Sequence, residues 1–275
     1  MISFISYIPL LLVLYDIYRH WDSEKFFHYF NLLLGTIAIT ITAKMMFHVY
    51  RVSHIDPYAF PSGHTLIASV LLMFYKDVKL VVFPLLVGLL RVILGRHTIE
   101  QIILSFLFIP IIYWFVSFLE SKGKEGNRKI FHIASAMAIA FMFDVFNSIA
   151  LYVLFALLII GLILYKHRNN PIVKRFLDYY DRDGKGIGAF TLVLGSIIYY
   201  FIEPKLMVYQ AWVDGLASLS KNICFVLLYG YIGSIIGFLV TKMPIGFLFP
   251  IAEALTPYDN ILLPILMGVI FFIYH

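Results

Sequence analysis

The feature that most constrains this chain is the recurrence of apolar blocks that are nearly free of charge. Residues 31–49 carry one charged side chain, Lys44, and residues 83–90, 130–143, 149–165 and 261–274 carry no Asp, Glu, Lys or Arg. The blocks at 31–49 and 149–165 by themselves reach the roughly 17–25 residues that cross a bilayer core, and the others do so with their flanks. Inside hydrocarbon every backbone N–H and C=O must find its partner within the segment, so the blocks are read as helices. The expected fold is all-α, a polytopic transmembrane helical bundle of about twelve helices at this segment length. Spans fall near 2–18, 27–50, 62–75, 79–95, 98–119, 129–143, 147–165, 187–203, 206–221, 223–241, 244–257 and 260–274. With 61% hydrophobic and 13% charged residues, the chain is far from the roughly one-half and one-quarter of a soluble domain. A signal peptide does not account for blocks that recur to the last residues. The one cysteine, Cys224, lies in an apolar run, which leaves neither a disulfide framework nor a thiolate metal site.

Two polar stretches punctuate the pattern. Residues 120–129 (ESKGKEGNRK) are charged and contain glycine, and mark the boundary between two modules, 1–120 and 121–275. Residues 166–185 (KHRNNPIVKRFLDYYDRDGK) form the longest non-apolar stretch. Lys and Arg crowd into 19–25, 76–79, 120–129 and 166–185, which share one side if the spans alternate. The positive-inside rule puts that side in the cytoplasm and the amino terminus outside. The net charge of +5 is thus a topology signal; no basic patch interleaved with aromatics points to nucleic acid.

Three pieces of the first module belong together. Lys44 and Arg51 close the second span, Pro61-Ser62-Gly63-His64 opens the third, and Arg91 precedes His97 between the fourth and fifth. All sit at helix ends on the face expected outside. Cations in a membrane protein are costly unless paired or serving a site. Lys44, Arg51 and Arg91 suit the equatorial oxygens of a transferring phosphoryl group. Ser62 and the Gly63 amide add donors at a helix start, where an anion is favoured. Two histidines, His64 and His97, supply one group to attack phosphorus and one to protonate the leaving oxygen. His48 and His54 lie nearby outside this pattern and read as interfacial residues.

Over residues 20–119 the set resembles the type 2 phosphatidic acid phosphatase and vanadium haloperoxidase superfamily, whose motif is K-x6-RP, PSGH and SR-x5-H-x3-D. Here it reads K-x6-RV, PSGH and LR-x5-H-x3-Q. The resemblance implies that His97 is the nucleophile forming a phosphohistidine and His64 the general acid. It implies that Lys44, Arg51, Ser62, Gly63 and Arg91 bind phosphate, with no metal or other cofactor. Val52, Leu90 and Gln101 depart from the family's Pro, Ser and Asp. A carboxylate at the last position stabilises imidazolium, so its replacement by Gln101 bears on chemistry. The string HTIEQII, with Gln one turn after the histidine, resembles the dolichyl-diphosphatase branch. Glu100 is about 100° around the helix from Gln101 and a poor substitute.

The second module carries sparser marks: Arg128-Lys129 with His132, the run DGKGIGAFTLVLG at 183–195, Asp214-Gly215-Leu216-Ala217-Ser218, Gly233-Ser234, and Glu253 followed by Asp259-Asn260. Acidic residues within apolar runs read as functional by default. In this order they resemble the polyprenol kinase family, which includes dolichol kinase. The resemblance implies a CTP-dependent module with Asp214 as the metal-associated acid, Glu253, Asp259 and Asn260 near it, Lys185 facing phosphates, and magnesium neutralising the triphosphate. The family's Gly-Lys-rich loop and Glu-Gly-Ser are missing: SLSKNICFVLLYGYIGS has only Lys221 basic and Ile232 in place of Glu. The glycine-rich run at 183–188 is read either as a phosphate loop or as a plain helix start. Together the modules point to an isoprenoid lipid phosphate as substrate and the lipid bilayer as surroundings. The expected function is hydrolysis of polyprenyl or dolichyl (di)phosphate on the extracytoplasmic face, in carrier recycling, with a CTP-dependent kinase or a lipid-holding module attached. The alternatives are a phosphatidate-type phosphatase and a polyprenyl-phosphate transporter or flippase.

Overall fold

In a computed structural model of the chain, residues 8–23, 25–50, 57–181, 184, 186–255 and 260–274 are described. Among them every regular element is helical. Five helices among the described residues are long and apolar enough to cross a membrane: Phe26–Phe47, Ile99–Glu120, Lys124–Phe146, Ser148–Lys166 and Ile223–Thr241. The apolar helices Gly63–Tyr75, Ile187–Ile202, Pro244–Leu255 and Leu262–Tyr274 are shorter. Clear spans among the described residues are therefore fewer than the segments expected from hydropathy. Three of the segments that fall short show how. The 79–95 block is a 3-10 turn, Val78–Val81, leading into a helix of 12 residues, Val82–Ile93. The 206–221 block is a chain of short pieces, and 244–257 begins as a 3-10 turn at Pro244–Leu248.

The chain divides into two compact units, Met1–Phe118 and Leu119–His275. In the first, α1 (Ile8–Arg19), α2 (Phe26–Phe47), α3 (Gly63–Tyr75), α4 (Val82–Ile93), α5 (Ile99–Phe106) and α6 (Phe108–Glu120) follow one another. Asp16 of α1 accepts hydrogen bonds from the hydroxyls of Tyr29 (2.9 Å) and Tyr75 (2.8 Å), tying α1 to α2 and α3. The Tyr29 and Phe74 rings stack at 4.0 Å between centroids in the same corner. Glycine sets two close approaches. A Cβ on Gly35 would stand 2.3 Å from Val116 of α6, and one on Gly88 would stand 2.5 Å from Ile102 of α5.

The second unit holds α7 (Lys124–Phe146), α8 (Ser148–Lys166), α9 (Pro171–Tyr180), α10 (Ile187–Ile202), α11 (Leu206–Tyr209), α12 (Gly215–Ala217), α13 (Ile223–Thr241), α14 (Phe249–Leu255) and α15 (Leu262–Tyr274). α9 starts on an Asn170 side chain that accepts from the Ile172 N–H, with Pro171 in the first turn, a favourable helix start. α8 buries only Ala150 and Leu154 and exposes Tyr152, Phe155, Ile159, Ile160 and Leu162. So broad an apolar face suits hydrocarbon rather than water. Residues 206–217 behave in the opposite way. α11, a π-helical turn at Gln210–Asp214 and α12 run on continuously, and every residue in them is buried. Hydropathy cannot separate such an enclosed segment from a lipid-facing span.

Candidate functional site

The first-unit site is assembled from three helix ends. Lys44 lies in the last turn of α2 and its Nζ donates to the Tyr58 carbonyl. Ser62 caps α3 with extended backbone, so Gly63 is the first helical residue. A Cβ on Gly63 would meet Thr40 at 3.5 Å and the Lys44 side chain at 3.8 Å. The lysine therefore lies against the Ser-Gly turn with no side chain between them. Arg91 is in the last turn of α4 and 5% exposed, and His97 is 3% exposed. Gly88, one turn before Arg91, lets α4 close on Ile102 and on Thr65 of α3, bringing this arginine's helix against both neighbours.

Gln101 organises the surroundings of His97. Thr98 caps α5, its hydroxyl accepting from the Gln101 N–H, while Gln101 Oε1 accepts from the Thr98 N–H at 3.2 Å, a reciprocal capping box. The same Oε1 lies 3.3 Å from His97 Nδ1. The Thr98 donor identifies that amide atom as the oxygen, and an amide oxygen only accepts. In the neutral ring His97 Nδ1 then carries the proton and Nε2 the lone pair. Ser105, buried in the next turn, donates to the Gln101 carbonyl (2.6 Å) and accepts from the Ser62 N–H (2.8 Å). Thr65 donates to the Ser62 hydroxyl at 3.0 Å. A hydrogen-bonded line thus runs from His97 through Gln101 and Ser105 to the Ser-Gly turn. Ser105 carried no sequence mark, because it pairs with Ser62 across 43 residues. His64 lies in the first turn of α3 and is partly exposed. Arg51 lies outside the described residues.

In the second unit, Asp214 ends the π-helical turn and is 4% exposed. Its Oδ1 accepts from Lys129 Nζ at 2.8 Å, and its Oδ2 accepts from Gln210 at 3.2 Å and lies 3.0 Å from His132 Nε2. Lys129 is 1% exposed. Gln210 also donates to Asn260 Oδ1 (3.3 Å) and accepts from Tyr199 (3.0 Å), and Asn260 donates to the Thr191 hydroxyl at 3.2 Å. Glu253 is buried in α14 and close enough to act electrostatically on Lys129 and Tyr199. The structure thus gathers Asp214, Asn260 and Glu253 around Lys129, His132, Gln210 and Tyr199. Lys129 and His132 stood in the sequence as an R-K-x2-H mark without a place in the site; Gln210 and Tyr199 gave no signal beyond polarity in an apolar run. Lys185 and Asp259 lie outside the described residues. Glycine again sets the approach: a Cβ on Gly215 would stand 2.4 Å from Ile133 of α7, and one on Gly233 2.5 Å from the Trp212 carbonyl.

The described residues around Asp214 do not by themselves fit the magnesium and nucleotide that the kinase resemblance implies. A hard divalent cation needs about six oxygen ligands, whereas both Asp214 oxygens are engaged and the nearest counter-charge is the Lys129 ammonium. Among the described residues no group of three or more His, Cys, Asp or Glu converges on one point. The glycine-rich start of α10 is occupied as well. The N–H groups of Gly186 and Gly188 donate to the Asp181 carboxylate, at 2.9 and 3.4 Å, where a phosphate loop would leave them open. No family model, curated protein or solved structure matches this chain.

Proposed function

We propose that the first unit is a membrane lipid phosphatase acting on polyprenyl or dolichyl (di)phosphate through a phosphohistidine. The observation that carries this reading is the shared Gln101 oxygen. It supports a His97 whose Nδ1 is protonated and whose Nε2 lone pair is the nucleophile. In this mechanism Nε2 attacks phosphorus while Lys44, Arg91, Ser62 and the Gly63 amide, with Arg51, hold the equatorial oxygens. The P–O bond to the lipid, or to its lipid phosphate, breaks, and His64 gives that oxygen a proton. Water then attacks the phosphohistidine, His64 takes its proton, and inorganic phosphate leaves with Nε2 restored. The loop charges support a site on the extracytoplasmic face, where a spent carrier diphosphate would be trimmed. The enclosed Asp214 pair favours a lipid-holding second unit over a CTP-dependent kinase.

Phosphate release from purified protein tests this reading across polyprenyl mono- and diphosphates and phosphatidate, with and without magnesium and CTP. We expect release confined to polyprenyl substrates, independent of both additions, and abolished by His97→Ala. His64→Ala should accumulate acid-labile phosphoenzyme. Release from phosphatidate alone supports the alternative phosphatase, and lipid movement in liposomes without release supports a transporter. Full activity in His97→Ala overturns the assignment.

A further inference from the structure

We propose that the second unit holds a lipid monophosphate without metal or nucleotide, its chain in the cavity among α7, α8, α9 and α10 and its phosphate at Arg128. The cavity measures about 330 Å³ and lies entirely within this unit. Its walls are apolar, built from Phe131, Leu164, Val173, Phe176, Leu177 and Leu192. That volume falls at the lower end of the roughly 300–1,000 Å³ of small-molecule sites, enough for one chain. The amphipathic α9 forms one wall: its Val173, Phe176, Leu177 and Tyr180 line the space while Lys174 stays exposed.

Besides Tyr180, four polar side chains share the lining: Asp181, whose carboxylate accepts from the Gly186 and Gly188 N–H groups, Asn260, and the α7 pair Arg128 and His132, one turn apart. They differ in what they can offer. His132 and Asn260 belong to the buried network, where Lys129 already balances Asp214. Among the described residues Arg128 pairs along its own helix, with both Nε and Nη2 donating to one Glu125 oxygen, at 3.0 and 2.8 Å. Those side chains are 19% and 40% exposed, and such a pair is worth about 0.2–1 kcal/mol. A phosphate can therefore recruit the guanidinium at small cost and gain bidentate, charge-assisted hydrogen bonds. Exposed Lys122, Lys124, Lys166, Arg168 and Lys174 on the adjoining segments raise the local positive potential. The apolar interior and basic margin suit one apolar tail with an anionic head. The engaged Asp214 and Asp181 carboxylates leave neither a metal ligand set nor an open phosphate loop.

The choice of a phosphate head group rests on the lipid-phosphate reading of the first unit, and the test separates the two. The full chain carrying His97→Ala is reconstituted in nanodiscs with EDTA and no nucleotide, and labelled with a diazirine-bearing farnesyl monophosphate analogue. Crosslinked peptides are then mapped by mass spectrometry. We expect crosslinks in α9 and α10 that unlabelled farnesyl monophosphate competes away at least fivefold better than farnesol. Ala189→Trp, which fills the cavity from an exposed wall position, should cut these crosslinks at least fivefold while leaving those in the first unit unchanged. Arg128→Gln should erase the preference for phosphate over alcohol. Crosslinks that require magnesium and CTP, or that survive both substitutions, overturn the proposal. Loss of second-unit labelling with wild-type phosphate release intact refutes this proposal alone. Labelling that persists where wild-type protein releases no phosphate refutes the first reading alone.

Discussion

Replacing Gln101 with leucine removes one oxygen that serves two donors, the Thr98 N–H and His97 Nδ1. The consequences divide between stability and rate. Loss of the capping contact weakens the start of α5 by about 1 kcal/mol, which lowers the melting temperature without touching turnover of folded protein. Loss of the histidine contact forfeits about 0.5–1.5 kcal/mol of orientation, and about 1.4 kcal/mol is tenfold in rate. The ring is also freed to carry its proton on Nε2, which removes the nucleophilic lone pair from part of the population. Together these give an expected fall in kcat of about 10- to 30-fold on that rate scale, with KM little changed. Gln101→Glu is isosteric and still accepts both N–H groups, so kcat should stay within about threefold of wild type by the same arithmetic. Its negative charge favours imidazolium, so the acid limb of the pH–rate profile should move to higher pH. Steady-state phosphate release, with quenched-flow detection of the phosphoenzyme, measures each quantity. A Gln101→Leu protein with wild-type kcat would refute the assignment of tautomer and orientation to this oxygen.

Ser105→Ala leaves the buried Ser62 N–H without its acceptor, a loss of about 1–3 kcal/mol; phosphate release should fall about tenfold on the rate scale and Ser105→Thr should restore it, whereas an unchanged rate in the alanine variant removes Ser105 from the positioning line. Asp214→Asn strands the Lys129 ammonium and should lower stability by about 3–5 kcal/mol, while Lys129→Met with Asp214→Leu should recover most of it; a thermal shift in detergent that finds Asp214→Asn as stable as wild type contradicts the pairing. In a Cys224→Ser background, a cysteine at Ser53 should label from outside and one at Asn169 only from the cytoplasm, and the reverse pattern refutes the orientation.

Much of the helical plan was legible because apolar blocks in lipid have few alternatives to helix. The candidate site in the first unit was legible as a constellation, since Lys44, the Ser62–His64 turn, Arg91 and His97 sit at helix ends that short spacings define. What escaped was the hydrogen-bonded line behind them. Ser105 is an ordinary helical serine until α5 lies beside the Ser62 turn, and no local pattern records that. The surroundings of Asp214 in the second unit escaped for a related reason. Asp214 read as an acid awaiting a cation, and the structure supplies the cation from within, 85 residues upstream at Lys129. The 206–221 block read as a span because hydropathy reports composition and not what surrounds the segment.

That enclosed segment bears on how the protein is made. Residues 206–217 comprise α11, a five-residue π-helical turn and α12. The stretch falls short of the roughly 17–25 residues that cross a bilayer and carries Gln210 and Asp214, which hydrocarbon disfavours. It cannot leave the insertion machinery into lipid by itself as soon as it is synthesised. Its surroundings include α7, already made, and α13, still to come, whose Gly233 and Gly237 leave room for the Trp212 carbonyl and the Tyr209 ring. The segment must wait in a protected setting until residues up to about 241 emerge and close over it. Ribosomal pausing or truncation before α13 therefore leaves a buried carboxylate and its lysine without a wall, and quality control meets the second unit at that point rather than at its first span.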